Sequence, residues 1–339
     1  MRSIQETEFN NYIRVMSMKK DKDFRSVSED MLQGLSRVQR RAFLASGMAV
    51  ASVAAGHVSS AKGMSYFDES VKDGALLPGE MRKQYIDSSL GQIHYRVKQG
   101  AGTPIICFHQ TASSSAMFEK FAAAYKGSET IIAMDTPGFG GSFDPLDAPT
   151  MAEYATVMTE AIRALGYEKC HLFGHHTGAC IAIEIAAAET NLVESLIMIG
   201  PVILTPEERA AFGSVYPKPF ELQADGSHLK TMWDYVESIG GNSTLELHHR
   251  EMVDTARAWQ GHIKMYSKIW DQDFRALYQS VKSPMLVMCA EKDILWPMFS
   301  RAKEMRPDAS AAVIPGTNFE PDEAPMEVAS AIQNYLTEF

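Results

Sequence analysis

Cysteine is scarce in this chain, and long apolar runs are missing from it. Of 339 residues only Cys107, Cys170, Cys180 and Cys289 are cysteine, and no two stand in a Cys-x-x-Cys spacing. Each lies in or beside an apolar, strand-like run. They read as buried free thiols, which leaves no disulfide framework and no thiolate metal cage. No apolar run reaches the ~18 residues that a bilayer-spanning helix needs. Positive charge is not in excess either: the formal net charge is −10, which argues against nucleic acid or an anionic lipid surface as partner. There is no internal repeat and no low-complexity tract. What remains is 45% apolar and 22% charged residues, an ordinary globular composition in a chain long enough for one large core with an inserted sub-domain.

Residues 1–62 read as an N-terminal extension, polar and mixed in charge as far as residue 36. The stretch Ser36-Arg37-Val38-Gln39-Arg40-Arg41-Ala42-Phe43-Leu44, followed by a weakly apolar run to Ala55, looks like a twin-arginine export signal with Arg40-Arg41 as its pair. The location this implies is periplasmic or otherwise exported. An Arg pair on a surface helix of a cytoplasmic protein is the alternative.

From Lys83 the pattern becomes one of strands. Residues 84–87 and 92–97 alternate around Ser-Ser-Leu-Gly, a hairpin signature. Apolar runs at 104–108, 130–134, 169–174, 195–199, 284–290 and 311–314 alternate with helical periodicity at 116–125, 151–165, 178–189 and 325–337. That alternation specifies a mostly parallel sheet covered on both faces. The rhythm breaks at 201–275, which is helical, rich in Met, Trp, Tyr and His and punctuated by Pro and Gly. The expected layout is therefore an α/β core made of 63–200 and 276–339, with 201–275 inserted as a helical cap.

The segment Gly174-His175-His176-Thr177-Gly178 sits between a strand and a helix that opens on small residues. This is the layout of a nucleophile elbow, Gly-x-Nuc-x-Gly, in which a strained turn pushes one side chain into the open. The glycines stand where a side chain would clash with the turn. The tip should carry Ser, Cys or Asp, but here it carries His176.

With the elbow, the strand-end His109, the run Asp135-x-Pro137-Gly138-Phe139-Gly140-x-Ser142 and the strand-end Asp293 in this order, the chain resembles the α/β-hydrolase superfamily over about residues 83–339. The likeness is to its capped branch of epoxide hydrolases, haloalkane dehalogenases and C–C hydrolases. The resemblance implies an α/β-hydrolase fold and a catalytic set running nucleophile, acid, His. By position these places fall on His176, Asp293 and Asn318, so a histidine is gained at the elbow and lost from the usual base position. The backbone N–H groups of Thr111 and Thr177 take the places of the oxyanion-hole donors, with Gln110 where the family has Gly.

No oxygen nucleophile stands at the tip. The expectation is that His176 serves as base or nucleophile, with Asn318 fixing its tautomer and Asp293 orienting either of them. The pocket would be lined by His109, Gln110, His175, His228, Trp233, Trp296 and Phe319. His109, His175 and His176 invite a metal, but an elbow should point adjacent side chains apart, so no metal and no cofactor is expected. His248-His249-Arg250 reads as a solvated helix face, and His262 admits no assignment. The function this supports is hydrolysis of an ester or lactone bond in a small, partly apolar organic substrate by a non-serine mechanism, in a monomer or homodimer. The alternatives are a cofactor-free lyase or other proton-transfer enzyme, and an inactive small-molecule binding protein.

Overall fold

The structure, a computed structural model, describes residues 80–216 and 220–338. The N-terminal extension and its Arg40-Arg41 pair lie outside the described residues. Eight strands form one sheet: β1 Arg82–Asp87, β2 Gln92–Lys98, β3 Ile105–Phe108, β4 Ile131–Met134, β5 Cys170–His175, β6 Val193–Ile199, β7 Met285–Ala290 and β8 Ser310–Ile314. Their order is β1-β2-β4-β3-β5-β6-β7-β8. The β1–β2 hairpin enters antiparallel and β2 lies antiparallel to β4, while every later pairing is parallel. This is the mostly parallel sheet that the strand–helix alternation implied, in the α/β-hydrolase fold that the family resemblance implied.

Strands β3, β4, β5 and β7 are buried at every position, which is why they read as unbroken apolar runs rather than alternating ones. One face of the sheet packs under α1 (Glu119–Ala124) and α11 (Pro325–Leu336), where Phe118, Phe121, Phe173, Val328 and Ile332 meet with essentially no exposure. The other face carries α2 (Met151–Ala164) and α3 (Thr177–Ala188). A capping box at Thr150 and Glu153 sets the start of α2. The expected single helix over 116–125 is instead a 3-10 turn, Ser115–Phe118, followed by α1. The Ser115 N–H is held by Asp135 Oδ1 at 2.6 Å, and that tie tightens the first turn.

Between β6 and β7 the chain forms α4 (Pro206–Val215), α5 (Ser227–Ser238), α6 (Leu245–Arg257), α7 (Trp259–Lys268) and α8 (Phe274–Ser280). Helix α9 (Trp296–Met305) and the short α10 (Glu320–Glu323) complete the order. Helix α6 anchors this helical insertion to the core. Ser113 donates to Glu251 at 2.5 Å and Ser114 to Asp254 at 2.8 Å. The Arg250 guanidinium grips Asp322 through two bonds of 2.7 and 2.6 Å. The expected solvated face at 248–250 is thus corrected for His248 and Arg250, while His249 is exposed. His248 is buried against Trp233, and Arg250 is spent on this anchor. The four cysteines are buried and free. No helix among the described residues is long and apolar enough to cross a membrane.

Candidate functional site

Strand order reverses at β3, because β4 lies on one side of it and β5 on the other. In open α/β sheets the crevice beyond the carboxyl ends of strands at such a reversal is where ligands bind. Here the loop after β3 and the turn after β5 meet in that crevice. His176 forms the turn with φ 48° and ψ −111°, the one non-glycine residue at positive φ among the described residues. Its N–H is held by Ile199 O at 3.0 Å. The turn can be this tight only because Gly178 lies against β3: a Cβ there would come within 2.1 Å of Phe108 O.

The His176 side chain turns toward the end of β7. Its Nε2 lies 2.8 Å from Asp293 Oδ2, with the histidine side chain 11% exposed and the aspartate not at all. Asp293 Oδ1 accepts the Leu295 N–H at 2.6 Å. A carboxylate only accepts, so Nε2 carries the proton in this pair, and the lone pair of His176 is on Nδ1. Gly200, at φ 63°, makes the space: a Cβ on it would come within 2.3 Å of the imidazole.

Asn318 does not fix the tautomer of His176. Its Oδ1 accepts from Ile294 N at 3.0 Å, its Nδ2 donates to Ile239 O at 2.7 Å, and its carbonyl accepts from Gln110 Nε2 at 2.9 Å. Asn318 and Gln110 are thus struts that join the loops after β3 and β7 to the end of α5. The physical reason is reach: once His176 bonds Asp293 directly, no intermediary is needed.

His175 also departs from expectation. The two imidazoles do not diverge but stack, with centroids 4.4 Å apart and planes within 8°. The reversal of backbone direction at His176 cancels the side-to-side alternation of a strand. His175 is fully buried and pairs with Glu320, Nε2 to Oε2 at 2.9 Å. Burial, reinforced by the charges of His176 and His109, holds the His175 pKa well below its ordinary value, so it is neutral. Burial, then the charge of Asp293 and a hydrogen bond with it, pushes Glu320 well above the usual carboxyl range. Glu320 was not legible in the sequence: within Glu320-Pro321-Asp322-Glu323 it looks like any acid in the first turn of a helix.

The remaining expected residues scatter. His109 spends both nitrogens on backbone, Nδ1 on Gln110 O at 2.7 Å and Nε2 on Thr136 N at 3.1 Å. The Thr111 and Thr177 hydroxyls bond each other at 2.9 Å, and their backbone N–H groups have no acceptor among the described residues. Phe319 is buried beneath Gly241 of the insertion. Trp296 is half-buried and stacks on Phe299 at 5.2 Å. His228 accepts from Gln223 N at 3.1 Å and closes a surface turn. His262 is buried among Phe220, Tyr235 and Tyr266 with neither ring nitrogen hydrogen-bonded. Among the described residues the donor atoms of His175, His176 and Glu320 converge within 4.8 Å, as a metal would require. The two histidine nitrogens are engaged with Glu320 and Asp293, and Glu320 would have to lose its proton to act as a ligand.

Residues 103–306 match the alpha/beta hydrolase fold family, and the chain belongs to it. It is 28% identical over 273 residues to a 2-(acetamidomethylene)succinate hydrolase of Mesorhizobium japonicum, covering 73% of this chain and 93% of that one. It is 22% identical over 269 residues to a fluoroacetate dehalogenase of a Burkholderia species, covering 70% and 88%. The crystal structure of E-2-(acetamidomethylene)succinate hydrolase superposes with a TM-score of 0.62 at 23% identity, over 76% of this chain and 99% of that one, a likeness of fold.

Proposed function

We propose that this protein hydrolyses an ester or lactone bond of a small, partly apolar organic substrate without an oxygen or sulfur nucleophile of its own, water being the nucleophile. The observation that carries the reading is the His176–Asp293 pair at the elbow, 2.8 Å long and closed on the Nε2 side. His176 Nδ1 takes a proton from water as the water oxygen bonds to the substrate carbonyl carbon. The N–H groups of Thr111 and Thr177 hold the oxyanion that forms. Asp293 stabilises the imidazolium, which returns its proton to the leaving alkoxide as the C–O bond breaks. The helical insertion serves as a cap that keeps bulk water out, and no cofactor takes part. The kinship with hydrolases of small molecules supports this class of reaction.

A second reading rests on the same geometry. A base beside two free N–H donors, with no hydroxyl at the tip, is also suited to removing a C–H proton and holding the resulting enolate, as a cofactor-free lyase does.

Stopped-flow hydrolysis of p-nitrophenyl acetate and of a lactone panel by the full chain tests the proposal. Linear product formation without a burst is expected, with a loss of about 10²- to 10⁴-fold in Asp293→Asn, the order seen when a base loses its orienting carboxylate. A stoichiometric burst would mean a covalent acyl-enzyme and would overturn water activation. Unaltered rates in Asp293→Asn would remove the pair from the mechanism.

A further inference from the structure

Behind His176 lies a second layer of titratable groups that water activation does not use. Glu320 and His175 are both completely buried, and burying two such groups has a cost unless they are paired. Asp293 is where the two layers meet. It accepts from Leu295 N and His176 Nε2, and the Glu320 carboxyl and the Cys289 thiol are the buried groups its charge acts on. Glu320 Oε1 in turn accepts from Ala290 N at 3.3 Å.

The proton positions follow from elimination. Two carboxylates side by side in a dry interior cannot both be ionised. Asp293 receives donors from His176 and the backbone, so it keeps the charge, and Glu320 keeps the proton. His175 Nδ1 has no partner. A buried acceptor without a partner is tolerated better than a buried donor, so His175 carries its proton on Nε2 and donates it to Glu320 Oε2. The chain of donors therefore runs from His175 to Glu320 to Asp293, and meets the donor from His176 at the same carboxylate.

We infer that Glu320 is a positioning residue: a neutral carboxylic acid, held by His175, that donates a hydrogen bond to Asp293 and so sets how strongly Asp293 holds the His176 imidazolium. This rests on the proposed role of His176 only for its kinetic consequence. The donor pattern itself does not depend on any reaction. It also explains why the elbow stacks two histidines, since His175 supports the acid that tunes the partner of His176. The titratable groups facing the pair are His109 on the side of His175 and Cys289 on the side of Asp293.

The test compares wild type with Glu320→Gln and Glu320→Leu in the full chain. Glutamine keeps a carbonyl for His175 and an N–H donor for Asp293, losing only the long 3.3 Å bond from Ala290 N, whereas leucine fills the volume and supplies neither. Long-range ¹H–¹⁵N spectra of ¹⁵N-histidine protein at pH 7.5 should show the same His175 and His176 tautomers in wild type and Glu320→Gln. In Glu320→Leu, His175 should lose its single tautomer. With p-nitrophenyl acetate, the acidic limb of the pH–rate profile should stay in place in Glu320→Gln. It should move up by about one pH unit in Glu320→Leu, because Asp293, relieved of a donor, holds the imidazolium more tightly.

A shift of a unit or more in Glu320→Gln would mean that residue 320 carries charge, and would overturn the inference. Unmoved spectra in Glu320→Leu would do the same. So would stoichiometric Zn²⁺ binding that perturbs both histidines in wild type, since those nitrogens would then be ligands rather than donors. If Glu320→Leu fails to fold, the glutamine variant decides alone. If no ester is turned over, the proposed reaction fails while the tautomers still decide the role of Glu320.

Discussion

At residue scale the site depends on spaces as much as on groups. Gly200 leaves the volume that the His176 ring occupies, so Gly200→Ala should fold, displace the imidazole and lose activity about as fully as removal of the base. A variant with full activity and an unmoved ring in its crystal structure would contradict this account of the elbow. His262 offers a stability test away from the site. Burial depresses its pKa to about 4, so between the ordinary value of about 6.5 and 4 the unfolded chain binds a proton that the folded chain refuses. Stability contributed by the neutral ring is therefore complete above pH ~6.5 and falls by up to roughly 3 kcal/mol as pH drops to 4. His262→Phe, which fits its aromatic neighbours, should flatten this decline. Urea midpoints at pH 7.5 and pH 5 should be closer together in the variant than in wild type.

At the scale of elements, α6 carries the charged anchor of the insertion to the core, beside the Gln272 bond to Cys180 O and the Asn318 bond to Ile239 O. Asp322 is almost fully buried under Arg250, and Arg250→Met would leave that charge with only Lys120 at 3.9 Å, at a cost of about 3 kcal/mol. Thermal unfolding should show the loss. A midpoint unchanged from wild type would mean that the insertion is held elsewhere. Asp254 is pushed up to about 7, chiefly by burial and then by the charge of Glu251. The folded chain therefore holds a proton that the unfolded chain releases above pH ~4, and the contribution of this group falls as pH climbs to 7. Asp254→Asn should raise the unfolding midpoint at pH 8, where the repulsion with Glu251 is present, and change it little near pH 4.

Sequence reading worked best at this scale. Strand alternation, the hairpin and the Asp135-to-Ser142 run identify the fold because each is enforced locally, by pleat, turn or a buried carboxylate gripping backbone N–H groups. Contacts distant in sequence were not legible. Asn318 and His176 looked like partners because spacing along a family pattern says nothing about which carbonyls a carboxamide will meet. Glu320 carries no signal in the sequence, because a helix's first turn favours acids whether buried or not. His248 and Arg250 looked exposed because amphipathic spacing does not reveal which face a neighbouring loop will cover.

At the scale of the whole molecule, the chain joins a familiar sheet to an unfamiliar tip. We propose that it is exported through Arg40-Arg41. Fractionation of cells expressing the full chain should find it outside the cytoplasm, and a paired Arg40→Lys, Arg41→Lys variant should be retained inside. Equal distribution of the two would discard the export reading. The central claim is that an imidazole at the elbow has taken over from a nucleophile. The most direct measurement is turnover of activated esters and lactones by the full chain, wild type beside His176→Ala. The account predicts a fall of about 100-fold or more, the scale of a lost general base. Equal turnover by the two proteins would contradict it.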